Sequence, residues 1–229
     1  MNVQILYEDE VLIAVNKPAN LTVHPGRGQS GPSLEQLIEE QLGRETILFH
    51  RLDRDTTGVV LLGKKRTITS AMAAMFERKR IRKAYWAVVD GRWRPEWNRI
   101  ETEIARGPTG RWQNVVAGGR PAVSTARVLA ATDEKSWIEV LPKTGRTHQV
   151  RLHCVAMGHP ILGDRVYGER ADVPMALHAW RVDLRHPVSG ESLQIRAAPP
   201  AYWRERWLSG MRLSERLGEL LARSEQSAR

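Results

Sequence analysis

Residues 50–62, HRLDRDTTGVVLL, join a charged stretch to an apolar one. The final VVLL is predicted to be a buried strand, because a short apolar run bounded by turn residues is typical of one. In the charged part Arg51 and Arg54 flank Asp53, and nearby guanidinium charge favours the ionised form of a carboxyl group. Gly58 permits another backbone segment to approach closely. The stretch predicts either a functional carboxylate on a loop or a surface turn with local ion pairs.

Two elements are predicted on the N-terminal side of this stretch. Residues 11–15 are an apolar run that ends at Asn-Lys-Pro, which indicates a strand leading into a turn. Ser33 and Gln36 have the spacing of a capping box, and Gly43 fits a helix end. We therefore predict a helix over residues 34–42.

The C-terminal side contains more strands than helices. Apolar residues at 68, 72, 75 and 76 have helical spacing. Strands are predicted at residues 84–89, 99–104, 124–129 and 137–141. Because the strands do not alternate strictly with helices, the sequence favours an α+β fold over a doubly wound sheet.

A second candidate site follows a basic run. Tyr85, in the predicted strand after residues 78–83, is a candidate to present a ring and a hydroxyl to a base, whereas for Trp86 we predict ordinary packing. The basic residues 78–83 suit contact with phosphate groups, with a solvated charged face as the alternative.

A third candidate site is KTGRTHQVRLH, residues 143–153. It places a glycine turn, Arg146 and Arg151 at the start of a helix predicted over residues 147–158, with Thr147 as its cap and Gly158 at its end. A helix N-terminus favours anions. The alternative is a capped helix with a basic exposed face.

Composition narrows the class of protein. The chain has 229 residues and a net charge of +9, which favours a polyanionic partner such as nucleic acid. Its single cysteine, Cys154, excludes an internal disulfide and a multi-thiolate zinc site. No secretory signal and no apolar run of membrane-spanning length is present. We therefore expect a soluble, cytoplasmic protein with no membrane partner.

A metal centre is an alternative that the histidines raise. His148, His153 and His159 lie near one another in the sequence. His148 and His153 are five residues apart, so they do not share a helix face as an i,i+4 pair does. We predict that the protein binds no metal.

Together these segments resemble the RluA family of pseudouridine synthases. That family carries His-Arg-Leu-Asp-x-x-Thr-Ser-Gly, Lys-x-Tyr and Thr-Gly-Arg-Thr-His-Gln-x-Arg-x-His. The matching positions here are residues 50–58, Lys83 with Tyr85, and residues 144–153. Flanking similarities occur at residues 15–18, 158–164, 167–168, 177–179 and 186–187. The resemblance covers about residues 3–200, and Thr57 replaces the serine of the family.

The resemblance implies a role for each matching residue. Asp53 would be the catalytic aspartate. Arg51 would help to extrude the target nucleotide, and Tyr85 would pack against the flipped uracil. Arg151 would pair with Asp53 and orient it, with Arg146 as the alternative. Arg54 and Arg146 complete the predicted substrate-binding residues.

The resemblance also implies a fold and an activity. The fold is a mixed, largely antiparallel sheet with flanking helices and a central RNA-binding cleft. The activity is isomerisation of uridine in structured RNA without metal or other cofactor. We expect large-subunit ribosomal RNA as substrate, with transfer RNA or dual specificity as the alternative, and no obligate protein partner is inferred. Three rivals are a non-catalytic RNA-binding protein, a glycosidase that uses Asp53 and Asp55, and a metal-dependent hydrolase.

Domain organisation is expected to be simple. Residues 1–203 are predicted to form the catalytic domain, in the compact form of the family without an N-terminal RNA-binding module. Residues 204–229 are predicted to be a C-terminal helical extension or tail, in which Leu213, Leu217, Leu220 and Leu221 share one face.

Overall fold

A computed structural model describes residues 1–26, 31–94, 97–168, 172–212 and 218–219. The chain divides into two compact units. The first comprises Met1–Lys83 and His178–Pro200, and the second comprises Ala84–Leu177 and the segment that begins at Ala201.

The described residues contain eleven strands and four α-helices. The strands are β1 (Gln4–Glu8), β2 (Leu12–Lys17), β3 (Ile47–Leu48), β4 (Thr57–Gly63), β5 (Arg82–Asp90), β6 (Trp97–Arg106), β7 (Trp112–Val115), β8 (Arg120–Ala131), β9 (Lys135–Pro142), β10 (Leu177–Arg185) and β11 (Ser192–Arg196). The helices are α1 (Leu34–Leu42), α2 (Thr69–Glu77), α3 (Gln149–Ala156) and α4 (Tyr202–Arg206). None of the helices in these described ranges is long and apolar enough to cross a membrane.

The first unit is built around β4. Strand β2 pairs with it antiparallel, β1 continues beyond β2, and β11 continues beyond β10. The pair of β4 with β10 is parallel. All seven residues of β4 are buried, as expected for a strand covered on both faces. The buried strand predicted at residues 59–62 is therefore confirmed, and it begins within the charged motif.

Gly58 explains how β10 reaches this motif. It pairs with Ala179 of β10, and a Cβ atom at Gly58 would lie 2.2 Å from the Ala179 carbonyl oxygen. Its φ of 113° also lies in a region that favours glycine. The close approach expected at this position is present.

Helix α1 follows its capping signals. Ser33 is the N-cap, its side chain and that of Gln36 form the capping box, and Gly43 ends the helix with a φ of 65°. Helix α2 buries Met72 in a core that it shares with β2, β4, β10 and β11. Both helix predictions are confirmed.

The second unit contains an antiparallel sheet in the order β5-β9-β8-β6-β7. The four strands predicted here are all present, each longer than the sequence indicated. Trp86 is fully buried and its ring lies 5.1 Å from that of Trp137, which confirms the packing role. Both units together give the predicted α+β class with a mixed, largely antiparallel strand arrangement.

The start of α3 differs from the prediction. Thr147 is not its cap, because His148 occupies the N-cap with a φ of 57° and makes no side-chain capping bond. Instead the Gln149 side chain accepts from the Arg146 N–H at 3.0 Å and from the Thr144 hydroxyl at 2.6 Å. The amide of the same side chain donates to the Val123 carbonyl and the Ser124 hydroxyl, each at 3.0 Å, so Gln149 fixes the turn that precedes the helix. Gly158 follows the helix with a φ of 78°, as expected.

The C-terminal region contains a helix that the sequence did not indicate. Helix α4 buries Trp203, and Trp207, Leu208 and Met211 are also buried. The four leucines predicted to share a helix face lie outside the described residues.

Candidate active site

His50 ties the first motif to β4. Its Nε2 atom accepts a hydrogen bond from the Leu61 backbone N–H at 3.0 Å, so that nitrogen carries no proton. Burial, together with the nearby charge of Lys83, lowers the pKa of His50 to about 3. A neutral histidine therefore fixes the start of the loop.

Asp53 lies at the beginning of a tight turn. The Thr56 N–H donates to the Asp53 carbonyl oxygen at 3.1 Å, which closes the turn directly before β4. The Asp53 side chain is half-buried, whereas the side chains of Arg51 and Arg54 are exposed. The turn thus presents the Asp53 carboxylate on a fixed backbone, with one arginine two residues before it and another directly after it.

Lys17 supports this turn from inside the first unit. It is fully buried at the end of β2, and its Nζ donates to the carbonyl oxygens of Pro18, Leu21 and Arg54 at 2.8, 2.7 and 2.8 Å. Burial lowers the pKa of Lys17 to about 7, although the carboxylates of Asp55 and Asp53 act in the opposite direction. All three ammonium protons are used, so Lys17 holds the backbone beside Asp53.

A buried histidine fixes the other end of the motif. His178 Nδ1 lies 2.7 Å from the Thr57 hydroxyl, and its Nε2 lies 3.0 Å from the Ala197 carbonyl. A carbonyl only accepts, so Nε2 carries the proton and Nδ1 accepts from Thr57. Burial lowers the pKa of His178 to about 4, which keeps the ring neutral. Thr57, like the serine of the family, has a hydroxyl group, and here that group donates a hydrogen bond to His178.

Tyr85 lies in β5 of the second unit. It is buried, with 8% of its surface exposed, and pairs with Val140 of β9. Two residues earlier, burial lowers the pKa of Lys83.

Arg151 of the second unit is held at two points by a buried carboxylate. Its Nε and Nη2 atoms donate to the two carboxylate oxygens of Asp164, each at 2.7 Å. Asp164 also accepts from the backbone N–H groups of Val166 and Tyr167. Burial acts to raise the pKa of Asp164, but these hydrogen bonds and the charge of Arg151 outweigh it and lower the pKa. A two-point bond of this kind fixes the plane of a guanidinium group.

The ring of Tyr167 packs beside the same guanidinium. The guanidinium carbons of Arg151 and Arg111 each lie 4.9 Å from the ring centroid. Its hydroxyl donates to the Trp112 carbonyl at 2.7 Å and lies 2.8 Å from His148 Nδ1. Tyr167 thus links Arg151, the start of α3 and β7.

Arg146 has a different environment. It is half-buried, and its Nε donates to the Pro121 carbonyl at 3.0 Å. Arg51, Asp53 and Arg54 thus share one loop of the first unit, whereas Tyr85, Arg146 and Arg151 lie in the second.

Two supporting residues were not assigned a role from the sequence. Lys17 and Asp164 both lie in segments that resemble the family, but Lys17 reaches the turn at Asp53 across 37 residues and Asp164 reaches Arg151 across 13. A lysine that ends an apolar strand before proline, and a carboxylate directly after Gly163, were the only local signals.

The three histidines of the metal alternative have separate environments. His148 bonds with Tyr167, His159 lies 2.7 Å from the Asp90 carbonyl, and His153 is fully buried. Within the described ranges, no three His, Cys, Asp or Glu side chains are grouped as a metal site.

Comparison with known proteins identifies the family. The family model for RNA pseudouridylate synthase matches residues 11–156. An uncharacterised RNA pseudouridine synthase of Synechocystis is 37% identical over 216 residues, which cover 87% of this chain and 66% of the relative. Ribosomal large subunit pseudouridine synthase C of Vibrio cholerae is 36% identical over 209 residues, covering 86% of this chain and 66% of the relative. Ribosomal large subunit pseudouridine synthase D of Neisseria meningitidis is 36% identical over 222 residues, covering 87% of this chain and 59% of the relative. The chain therefore spans between 59% and 66% of the length of these relatives.

Solved structures show the same fold. Human RNA Pseudouridylate Synthase Domain Containing 1 superposes with a TM-score of 0.80 at 24% identity, covering 98% of this chain and 95% of that one. Human RNA Pseudouridylate Synthase Domain Containing 4 has a TM-score of 0.70 at 23% identity, covering 97% of this chain and 93% of that one. The sequence matches confirm the resemblance noted at the three motifs, and the chain belongs to the RNA pseudouridylate synthase family.

Proposed function

We propose that this chain is an RNA pseudouridine synthase that isomerises specific uridines, with Asp53 as its catalytic residue. The observation that carries the proposal is the turn at Asp53, inside the region that matches the family model. The turn is closed by its own backbone and held by the buried Lys17. A carboxylate fixed in this way suits a reaction that needs one group at one atom of the substrate.

The reaction rearranges bonds without a net change in composition. The N1–C1′ glycosidic bond breaks, the uracil turns, and a C5–C1′ bond forms while C5 loses a proton and N1 gains one. No electron leaves or enters, so the chemistry needs no redox cofactor. Asp53 has three routes available to it: attack on C1′, addition to C6 of uracil, or removal of the 2′ proton.

The target base must leave the stack before Asp53 can reach it. We assign Arg51, exposed beside Asp53, to fill the vacated place, and Arg54 to bind the RNA backbone. The ring of Tyr85 packs against the extruded uracil. These three roles follow the family resemblance, and the exposure of the two arginines supports the first two.

Arg151 is assigned to pair with Asp53 and orient it. The support is the bond between Arg151 and Asp164, which holds the guanidinium plane with two short contacts in a buried setting. Arg146 is the weaker candidate because it is half-buried and its Nε serves the Pro121 carbonyl. We assign Arg146 to RNA binding.

For the substrate we propose large-subunit ribosomal RNA. Two of the similar proteins, from Vibrio cholerae and Neisseria meningitidis, carry that RNA in their names. The net charge of +9 fits a polyanionic substrate of either RNA class.

The test is a map of pseudouridine in total RNA from cells with and without this gene. We expect one or a few ribosomal pseudouridines to disappear, and to return with the wild-type gene but not with Asp53→Asn. Asp55→Asn, two residues away in the same loop, is the matched control and should restore them, which would also exclude a paired-carboxylate mechanism. Loss of pseudouridine from transfer RNA alone would contradict the proposed ribosomal RNA substrate. If the purified protein were inactive, RNA binding without catalysis would be the function that stands.

A further inference from the structure

Four exposed cations follow helix α2. They are Arg78, Lys79, Arg80 and Arg82, which we call the α2–β5 basic cluster. We propose that this cluster is a binding site for the phosphate backbone of the RNA substrate, at the entry to the strand that carries Tyr85. The proposal rests on the proposed function, because it takes its ligand from it.

The cations of the α2–β5 basic cluster have no side-chain partner among the described residues. Throughout the ranges that the structure describes, none of its four side chains forms an ion pair or a hydrogen bond with another side chain. Other exposed cations of the same unit are paired: Lys65 with Glu10, Arg66 with Glu45, and Arg54 with Asp55. The four cations of the cluster differ from these three, since no carboxylate lies within ion-pair distance of them in the described residues. Adjacent like charges repel one another, so a run of four favours an anion that lies across them.

The backbone under the cluster is fixed. The N–H groups of Arg78, Lys79 and Arg80 donate to carbonyls in the last turns of α2 at 2.9, 3.1 and 2.8 Å. Ile81 follows in the core, with 7% of its surface exposed. A binding surface on a fixed backbone loses less entropy when it binds than one on a free loop.

Lys79 occupies a position that favours glycine. Its φ is 55°, in the left-handed region, and helices commonly end with glycine in this conformation. Helix α1 of this chain does so, with Gly43 at a φ of 65°. A lysine there costs about 1 kcal/mol of backbone energy. The backbone conformation therefore does not require this lysine, and its exposed side chain is accessible to a phosphate group.

Helix stability alone does not account for the cluster. Cations near a helix C-terminus interact favourably with the helix dipole, but the effect fades beyond the last turn. Arg78 directly follows the helix, whereas Arg80 and Arg82 lie further along and Arg82 is already in β5. Phosphate groups of RNA are the fitting ligand, because each accepts hydrogen bonds from lysine or arginine without regard to base sequence.

The experiment measures the salt dependence of RNA affinity. The probe is a fluorescently labelled RNA hairpin with a uridine-containing loop, titrated with the full chain at several salt concentrations. In the cluster variant all four residues are changed to Gln. The control variant changes Lys65, Arg66, Arg92 and Arg99 to Gln, and each of these pairs with an exposed carboxylate. Both variants reduce the net charge from +9 to +5.

We expect the slope of log affinity against log salt to fall by about 3 in the cluster variant, since each phosphate contact contributes about 0.7 to 0.9. The control variant should change it by less than about 1, because its cations are already neutralised locally. Equal changes in the two variants, or an unchanged slope in the cluster variant, would overturn the proposal. Lys79→Gly provides a second test that is compatible with the fold, because glycine adopts the backbone conformation of Lys79 without strain. It should lower the slope by about 0.8 while the stability is kept or raised.

The outcomes separate this inference from the proposed function. If the wild-type protein forms pseudouridine but the salt dependence of RNA affinity is unchanged in the cluster variant, the proposed activity stands and the phosphate-binding site is refuted. If the wild-type protein forms no pseudouridine, but the salt dependence of RNA affinity falls in the cluster variant and not in the control variant, the phosphate-binding site stands and the proposed activity is refuted.

Discussion

Asp164→Asn is the sharpest test of how the second unit holds Arg151. Asp164 accepts four hydrogen bonds, two from Arg151 and two from the backbone N–H groups of Val166 and Tyr167. The substitution keeps the size and shape of the side chain. It removes the charge and replaces one acceptor oxygen by an NH2 group, which must then face a donor.

The expected loss follows from burial. The side chains of Arg151 and Asp164 are 7% and 1% exposed, and removing one partner of a buried ion pair costs about 3 to 5 kcal/mol. Because the amide retains one acceptor, we expect a loss near the lower end, about 3 kcal/mol of unfolding free energy. The matched control is Asp172→Asn, which breaks the exposed pair with Arg165 and should cost less than about 1 kcal/mol.

The assay is urea unfolding of the wild type and both variants at pH 7. Asp164 has a pKa below its ordinary value of 3.8, so its contribution is fully present at pH 7 and is lost only as the pH falls through the lowered pKa. Turnover measured below the unfolding transition should also fall in Asp164→Asn, because the guanidinium plane is no longer fixed. Equal stability losses in the two variants would refute the reasoning.

Two further predictions concern the first unit and the buried histidines. Gly58→Ala should destabilise the protein by about 3 kcal/mol or more in urea unfolding, since its Cβ would meet the Ala179 carbonyl oxygen at 2.2 Å. Gly43→Ala, also at positive φ but with open space around it, should cost only about 1 kcal/mol, and equal losses would exclude the close approach as the cause. Burial lowers the pKa values of His178 and His153 to about 4. As the pH falls from the ordinary value of 6.5 towards 4, these histidines are protonated in the unfolded chain but not in the folded one, so the free energy of unfolding decreases. Each buried histidine should steepen that loss by about 1.4 kcal/mol per pH unit, and His153→Leu should flatten it by that amount in unfolding measured between these pH values; an unchanged slope would contradict this.

Local sequence signals predicted those helices and strands whose ends are determined by neighbouring residues. The capping box at Ser33, the apolar run before Gly63 and Gly158 after α3 each act within a few residues. The helix cap at α3 was predicted wrongly because a more distant contact decided it. His148 occupies the N-cap, and Gln149 fixes the turn before the helix through hydrogen bonds to Val123 and Ser124, 26 and 25 residues away.

In the candidate site, too, neighbouring residues were predictable from the sequence and distant contacts were not. The sequence motifs identified Asp53 and the arginines around it as candidates, since those residues are adjacent in the chain. What holds the turn in place is not adjacent: Lys17 reaches it from 37 residues away, and His178 from 121. No spacing rule relates such residues before the strands are paired, and only the resemblance to a family indicated the segments in which they lie.

Several buried polar residues of this protein lie in or beside the motifs, and this has a physical reason. A buried lysine such as Lys17 loses several kcal/mol of hydration, which an apolar residue of similar size would not. The backbone around it explains why it remains. The carbonyls of Pro18, Leu21 and Arg54 converge on one point, and without a donor three buried acceptors would be left unpaired. The Arg54 carbonyl comes from the turn at Asp53 and the other two from the segment after β2, and a single ammonium group can satisfy all three at once. In the same way, His178 accepts a hydrogen bond from the Thr57 hydroxyl, and Asp164 accepts from the Arg151 guanidinium. The chain thus accepts local losses of stability at the residues that fix its proposed catalytic groups, as expected where function constrains a fold.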